Sequence, residues 1–205
     1  MLISLLIWLL AVTVALTLHE AAHAFISDRL GDPTARVSGR LSLNPLNHYD
    51  PIGTTMLLVT AIFTGFPIGW AKPVPFDPYN LKNPKRDSLL IALGGPAVNL
   101  ILAVILSILL HYLLMEISLI NVLIVRVITI NVWLAIFNLL PIYPLDGSKV
   151  LYGLLPTGLA EDYSAVMSRY GTMILLFLII PFGGSSALTT LISPLINFLL
   201  HLLLP

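Results

Sequence analysis

His19-Glu20-Ala21-Ala22-His23 places two imidazoles four residues apart, with a carboxylate beside the first. On a helix, residues i and i+4 share a face one turn apart, so both rings can reach one metal ion. The glutamate is then placed to face water at that metal without being a ligand. The chemistry open to such a set is metal-assisted hydrolysis, in which a Lewis acid polarises a carbonyl and a neighbouring carboxylate moves a proton. Its setting sharpens the reading. Residues 2 to 18 carry no charged side chain, and an ionisable group at membrane depth is costly enough to mark a functional site.

A catalytic centre of this kind keeps three protein ligands and one open position. The chain has no cysteine, which removes thiolate ligands, thiol nucleophiles and disulfides together. The third ligand must therefore be His, Asp or Glu. Of the ten acidic residues, Glu20 belongs to the pentapeptide and all but one of the others fall in connectors or at loop edges. Asp146 directly follows an apolar run, in Asn138-Leu139-Leu140-Pro141-Ile142-Tyr143-Pro144-Leu145-Asp146-Gly147. It either closes the metal site or serves as an interfacial helix cap, since Asp and Gly are common near helix ends.

The elements that must position these groups follow from composition. The 205-residue chain is 58% hydrophobic and 10% charged, with a mean hydropathy of +0.97, whereas about a quarter of residues are charged in soluble domains. The fold class expected is an all-α polytopic membrane protein. Ten Lys+Arg balance ten Asp+Glu, so there is no basic footprint and no nucleic-acid partner is expected. A hydrocarbon core needs about 20 apolar residues per helix. Such stretches occur at 2 to 25, 88 to 114, 121 to 142 and 185 to 204, with a shorter fifth at 165 to 182. The first lacks a basic n-region and runs into the metal motif, so it reads as a retained helix and not a signal peptide. Residues 52 to 69 are apolar but interrupted by Gly53, Gly65 and Pro67, which suits a re-entrant or hairpin-like segment better than a clean helix. Residues 69 to 76 alternate proline with other residues and suit an extended edge. The whole is expected to be one membrane-embedded domain, 1–205, with a catalytic core at 1–155 and C-terminal helices at 163–205.

Charge and geometry agree on the topology. If 52 to 69 crosses the membrane, the basic residues divide almost evenly between the two sides. If it returns to the side it left, only Arg126 of the ten basic residues faces away from the rest, as the positive-inside rule prefers. That places the N-terminus outside and the connectors in the cytoplasm, and predicts that 52 to 69 packs against the catalytic helices. It also makes the first and third long helices run in the same direction. His19, His23 and Asp146 then reach one level near the cytoplasmic face; otherwise Asp146 would emerge most of an about 30 Å core away.

The chain resembles the site-2 proteases, intramembrane zinc metallopeptidases of peptidase family M50. The resemblance is carried by His19-Glu20-x-x-His23, by Gly94-Gly95-Pro96-Ala97-Val98-Asn99 expected to open the second core helix, and by Asn138-x-x-Pro141-x-x-x-Leu145-Asp146-Gly147 closing the third. Gly69-Trp70-Ala71-Lys72-Pro73-Val74-Pro75 is similar to the compact prokaryotic branch, and no PDZ-sized or CBS-sized insertion is visible. The resemblance implies hydrolysis of a peptide bond in or beside a transmembrane segment of another protein in the cell membrane. It implies one zinc ion per chain held by His19, His23 and Asp146, with Glu20 as general base and proton shuttle. Asn99 and Asn138 are either interhelical hydrogen-bonding groups or donors to the substrate backbone or oxyanion. Trp70 and Val74 mark either a substrate-binding edge, used by strand addition, or an interfacial loop. His48 reads as a polar connector residue, and His111 and His201 as interfacial anchors.

A catalytically silent membrane-protein-binding homologue, or a zinc transporter or sensor, would use the same ligands. The intact His19, Glu20, His23 and Asp146 disfavour the first, and the near-absence of ionisable residues in the outward halves of the helices disfavours the second.

Overall fold

The computed structural model describes residues 2–64, 69–113, 119–182 and 185–205. Helix α1 (Leu2–Arg29) is rich in leucine and alanine, contains no glycine or proline, and ends at Gly31, whose φ of +108° stops the helical path. Its buried stripe is Ala11, Ala15, His19, His23 and Ser27, one residue in four. Small side chains along that line let neighbouring backbones approach and bring the two histidines into the interior.

A short helix α2 (Thr34–Val37) and a 3₁₀ turn Pro45–His48 follow α1, and α3 (Pro51–Thr64) comes next. After a second 3₁₀ turn, Pro78–Asn80, come α4 (Pro84–Leu113) and α5 (Leu119–Asn138). The loop 139–145 leads to α6 (Asp146–Leu154) and α7 (Thr157–Ile179). A two-residue antiparallel pair, β1 (Pro181–Phe182) with β2 (Ser185–Ser186), joins α7 to α8 (Ala187–Leu203).

Helix α4 is central, packed on α1, α5 and α6. Contacts fix the relative directions. His23 of α1 bonds Ile91 of α4, and Ala15, earlier in α1, bonds Asn99, later in α4, so α1 and α4 are antiparallel. Asn99 bonds Asn131 of α5, while His19 meets Asp146 beyond the end of α5, so α1 and α5 run the same way. The apolar core joins α4, α5, α7 and α8 through Leu110, Ile128, Val132, Leu175, Ile192 and Ile196. Between membrane helices close packing supplies the attraction, because lipid is as apolar as the side chains.

The chain is an all-α polytopic membrane protein. Helices α1, α4 and α5 are long and apolar enough to cross a membrane, and α3 and α8 are shorter apolar helices. The apolar stretches expected at 165–182 and 185–204 overlap α7 and α8. Three expectations change in detail. Pro51–Thr64 is a regular 14-residue helix, about 21 Å long and too short to span. The chain at 69–70 lies back against the first two turns of this helix: Gly69 lies against Gly53 and Leu57, and Trp70 lies against Gly53, so closely that a Cβ on either glycine would overlap its neighbours. Gly65 and Pro67 are outside the described residues. This helix packs against residues 69–70, and half of its described side chains are exposed; it is not packed extensively on α1, α4 or α5. The Gly94–Asn99 motif lies in the middle of α4, with Pro96 inside the helix, because the helix already begins at Pro84, a favourable first position. Asp146 opens α6 and does not close α5.

Candidate metal centre

His19 and His23 project from the buried stripe of α1 with ring centroids 4.7 Å apart and planes at 84°. Asp146, in the first turn of α6, reaches them from the other side: its Oδ2 is 3.0 Å from His19 Nε2 and 3.2 Å from His23 Nε2. The three ligand atoms all lie within 4.8 Å of one another, and no other such cluster occurs among the described residues. Asp146 follows the N-cap residue Leu145 and turns its carboxylate toward both histidines. The positive end of α6 favours its charge. Gly147 permits the close turn beneath it, since a Cβ there would be 2.3 Å from the carbonyl oxygens of Leu139 and Leu140. Ser148 Oγ donates to Leu145 O at 2.7 Å and ties the turn.

The far nitrogen of each ring faces an acceptor. His23 Nδ1 donates to Ile91 O at 2.7 Å, one residue before Ala92, whose carbonyl loses its helical donor to Pro96. His19 Nδ1 is 2.6 Å from Asn99 Oδ1. The orientation of that amide is dictated by its nitrogen, which donates to Ala15 O at 3.1 Å and to Asn131 Oδ1 at 2.6 Å. Both histidines therefore carry their proton on Nδ1 and turn an Nε2 lone pair toward the carboxylate. Two lone pairs and a carboxylate oxygen around one point repel unless a cation lies between them. Two nitrogens and one oxygen with an open side match a divalent metal in a catalytic setting. Gly95 completes the cradle: a Cβ there would lie 2.5 Å from His19 Cε1, His19 Nε2 and His23 Nε2.

Glu20 is half-buried, and its Oε2 accepts the backbone N–H of Val74 at 3.1 Å. The segment 69–76 is irregular and is moored at several points. Lys72 N–H donates to His48 O at 2.9 Å, and Lys149 Nζ lies 5.2 Å from the centroid of the Phe76 ring. Asp77 N–H donates to Asp32 Oδ2 at 2.8 Å. Asp32 is wholly buried and also accepts from Ser27 Oγ, Thr34 Oγ1, Thr34 N–H and Asn80 Nδ2. Burial pushes its carboxyl up, but the hydrogen bonds from Thr34, Asn80 and Asp77 outweigh that and bring it down to about 2.

The site residues expected from sequence fall into groups. His19, His23 and Asp146 converge, and Glu20 and Val74 meet beside them. Trp70 is half-exposed beside the start of α3. Both amide hydrogens of Asn99 are committed to Ala15 and Asn131, so it has none for a substrate and serves His19 instead. Asn138 donates to Leu134 O of its own helix at 3.0 Å. His48, expected to be an ordinary polar connector residue, is buried, with Nε2 donating to Ser42 O. Asn131 and Gly95 were not singled out as site residues. Asn131 carries the same signal as Asn99, a lone amide in an apolar helix, and two such amides satisfy each other.

A family model described as "Peptidase family M50" matches residues 113–180, a stretch that includes Asn131, Asn138 and Asp146. The chain is 37% identical over 188 residues to the "Putative zinc metalloprotease YwhC" of Bacillus subtilis, covering 88% of this chain and 83% of that protein. It is 36% identical over 102 residues to the "Putative zinc metalloprotease Rip2" of Mycolicibacterium smegmatis, covering 48% of this chain and 36% of the relative. The Rip2 of Mycobacterium tuberculosis is 35% identical over 96 residues, 45% of this chain and 35% of that protein. No solved structure matches the chain.

Proposed function

Because the chain belongs to peptidase family M50, we propose that it is a zinc-dependent endopeptidase that cuts other membrane proteins in or beside their transmembrane segments. The observation that carries this reading is the convergence of His19 Nε2, His23 Nε2 and Asp146 Oδ2 with both histidine protons held on the far nitrogens. These three residues would hold one zinc ion, the metal named for the relatives. Zinc bound there supplies Lewis acidity, which polarises a scissile carbonyl and lowers the pKa of water to about 7.

Glu20 takes the proton from the attacking water and delivers it to the leaving amine. The Val74 N–H keeps its carboxylate at the mouth of the site. Lys72 and Val74, two residues apart, both turn their N–H groups toward the protein, as alternate residues of an extended chain do. The opposite edge of 69–76 can therefore receive an unwound substrate strand, with Trp70 at its start. Asn138, with one amide hydrogen bonded within its own helix, has a second for the substrate carbonyl or oxyanion. The catalytic core comprises residues 1–155, and the site is on the cytoplasmic side with the N-terminus outside.

The test compares the purified wild type with Glu20→Gln and Asp146→Ala for zinc content and for cleavage of a transmembrane substrate. Glu20→Gln should keep zinc and lose cleavage by at least about a hundredfold; Asp146→Ala should lose both. Wild-type turnover by Glu20→Gln would overturn the assignment. Capture of substrate by a crosslinker at Val74 supports the edge, and its absence in a turnover-competent variant counts against it.

A further inference from the structure

The polar groups buried between α1, α4 and α5 lead to one residue that the mechanism above does not use. Asn131 is wholly buried in α5, and its Oδ1 accepts from Asn99 Nδ2 at 2.6 Å. We propose that Asn131 is a positioning residue for the metal centre: it takes one amide hydrogen of Asn99, so that Asn99 Oδ1 stays turned to His19 Nδ1 and the Nε2 lone pair of His19 stays on the metal. This rests on the metallopeptidase reading and extends it by one residue and one helix.

The polarity of each link fixes the next. A side-chain amide has two donor hydrogens on one side and an acceptor oxygen on the other. Asn131 Nδ2 donates to Val127 O at 2.8 Å within α5, which leaves its oxygen facing Asn99. The two hydrogens of Asn99 are then claimed by Asn131 Oδ1 and Ala15 O, which leaves its own oxygen facing His19 Nδ1 at 2.6 Å. Were Asn99 inverted, its nitrogen would oppose the Nδ1 proton of His19, and its oxygen would oppose the oxygens of Ala15 and Asn131. All three side chains are buried, and an unmade hydrogen bond in such surroundings is costly. The backbone of α5 thus sets the tautomer and ring orientation of a ligand on α1, through α4. A residue that only glued helices together would change stability without changing how tightly the metal is held.

The experiment measures zinc affinity of the metal-stripped full chain in detergent, by competition with a chromogenic chelator, together with the visible spectrum of the cobalt-loaded form. Asn131→Leu keeps an apolar side chain of similar bulk and removes the acceptor. Asn131→Asp keeps an acceptor oxygen for Asn99 and gives up the bond to Val127. Asn131→Leu should bind zinc about tenfold more weakly, within the range seen for groups behind metal ligands, and shift the cobalt spectrum. Asn131→Asp should stay within about twofold of wild type even where its melting temperature falls. Unchanged zinc affinity in Asn131→Leu overturns the proposal, as does an equal loss in Asn131→Asp. Should Asn131→Leu not fold, Asn131→Ala against Asn131→Asp decides the same question. A wild type that binds no zinc sinks the metallopeptidase reading itself, whereas a wild type that binds it and an Asn131→Leu that binds equally sink only the positioning role.

Discussion

Gly94 and Gly95 are neighbours in α4 that face different things, and their substitutions should separate packing from chemistry. A Cβ at Gly94 would meet the end of the Ile26 side chain at 2.5 Å, while one at Gly95 would meet the imidazoles of His19 and His23 at the same distance. The Ile26 terminus can swing to another rotamer at a cost of about 1 kcal/mol. The imidazoles cannot, because Asn99 and Ile91 hold their far nitrogens. Gly94→Ala should therefore bind zinc within about threefold of wild type, and Gly95→Ala should lose about tenfold or more, measured by chelator competition on proteins of matched melting temperature. Equal affinities for the two would remove Gly95 from the centre. At this scale the cluster of His19, His23 and Asp146 was legible because a metal motif is written in spacing: the His19 and His23 interval carries the helical turn, and Asp146 is the acidic residue left at the right depth. Asn131 was not, because an amide in an apolar helix has meaning only once its partner is known, and that partner is on another helix.

The irregular connectors are organised by one buried carboxylate. Asp32 ties the end of α1 through Ser27, the start of α2 through Thr34, and the segment leading into α4 through Asp77 and Asn80. Asp32→Ala should lower stability by about 2 to 3 kcal/mol, because it strands buried donors, and should loosen the 69–76 segment that contacts Glu20. Its folded carboxyl is at about 2, against an ordinary value of 3.8. A depressed value contributes stability that is full above the ordinary value and is lost as pH falls through the folded one. Wild type should accordingly lose more melting temperature between pH 4 and 2 than Asp32→Asn does; parallel curves would count against it. The elements were legible in kind, since apolar length marked α1, α4 and α5. Their boundaries were less so. Proline and glycine punctuation suggested an interrupted segment at 52 to 69 and a helix start at Pro96, yet α3 is regular through Gly53, and α4 continues through Pro96. In each case a tight backbone approach, Gly53 to Trp70 and Gly95 to the histidines, explains the glycine without a break in the helix.

Across the whole molecule, the convergence of His19 and His23 of α1 with Asp146 beyond α5 constrains orientation more strongly than any single loop. His19 is ten residues from the end of α1 at Arg29, about 15 Å along the helix, and Asp146 approaches it from beyond the end of α5. Parallel α1 and α5 with an antiparallel α4 between them need an odd number of crossings between residues 29 and 119. Helix α4 is one, and because residues 69–70 lie back against the start of α3 the stretch between them adds none; the connectors before α4 therefore share the side on which α1 ends, and α5 returns to it. In the proposed orientation that side is cytoplasmic, as the charge bias favours. Because the chain contains no cysteine, single introduced thiols report this without a background. Ser38→Cys, Tyr79→Cys and Leu154→Cys, all at exposed positions, should react with a membrane-impermeant maleimide only after the cells are opened. Tyr112→Cys, exposed at the far end of α4, should react in intact cells. Labelling of Ser38→Cys and Tyr79→Cys from opposite sides would require residues 53–69 to cross the membrane. A uniform reversal at all four positions would still keep residues 53–69 from crossing and place the metal centre near the outer face.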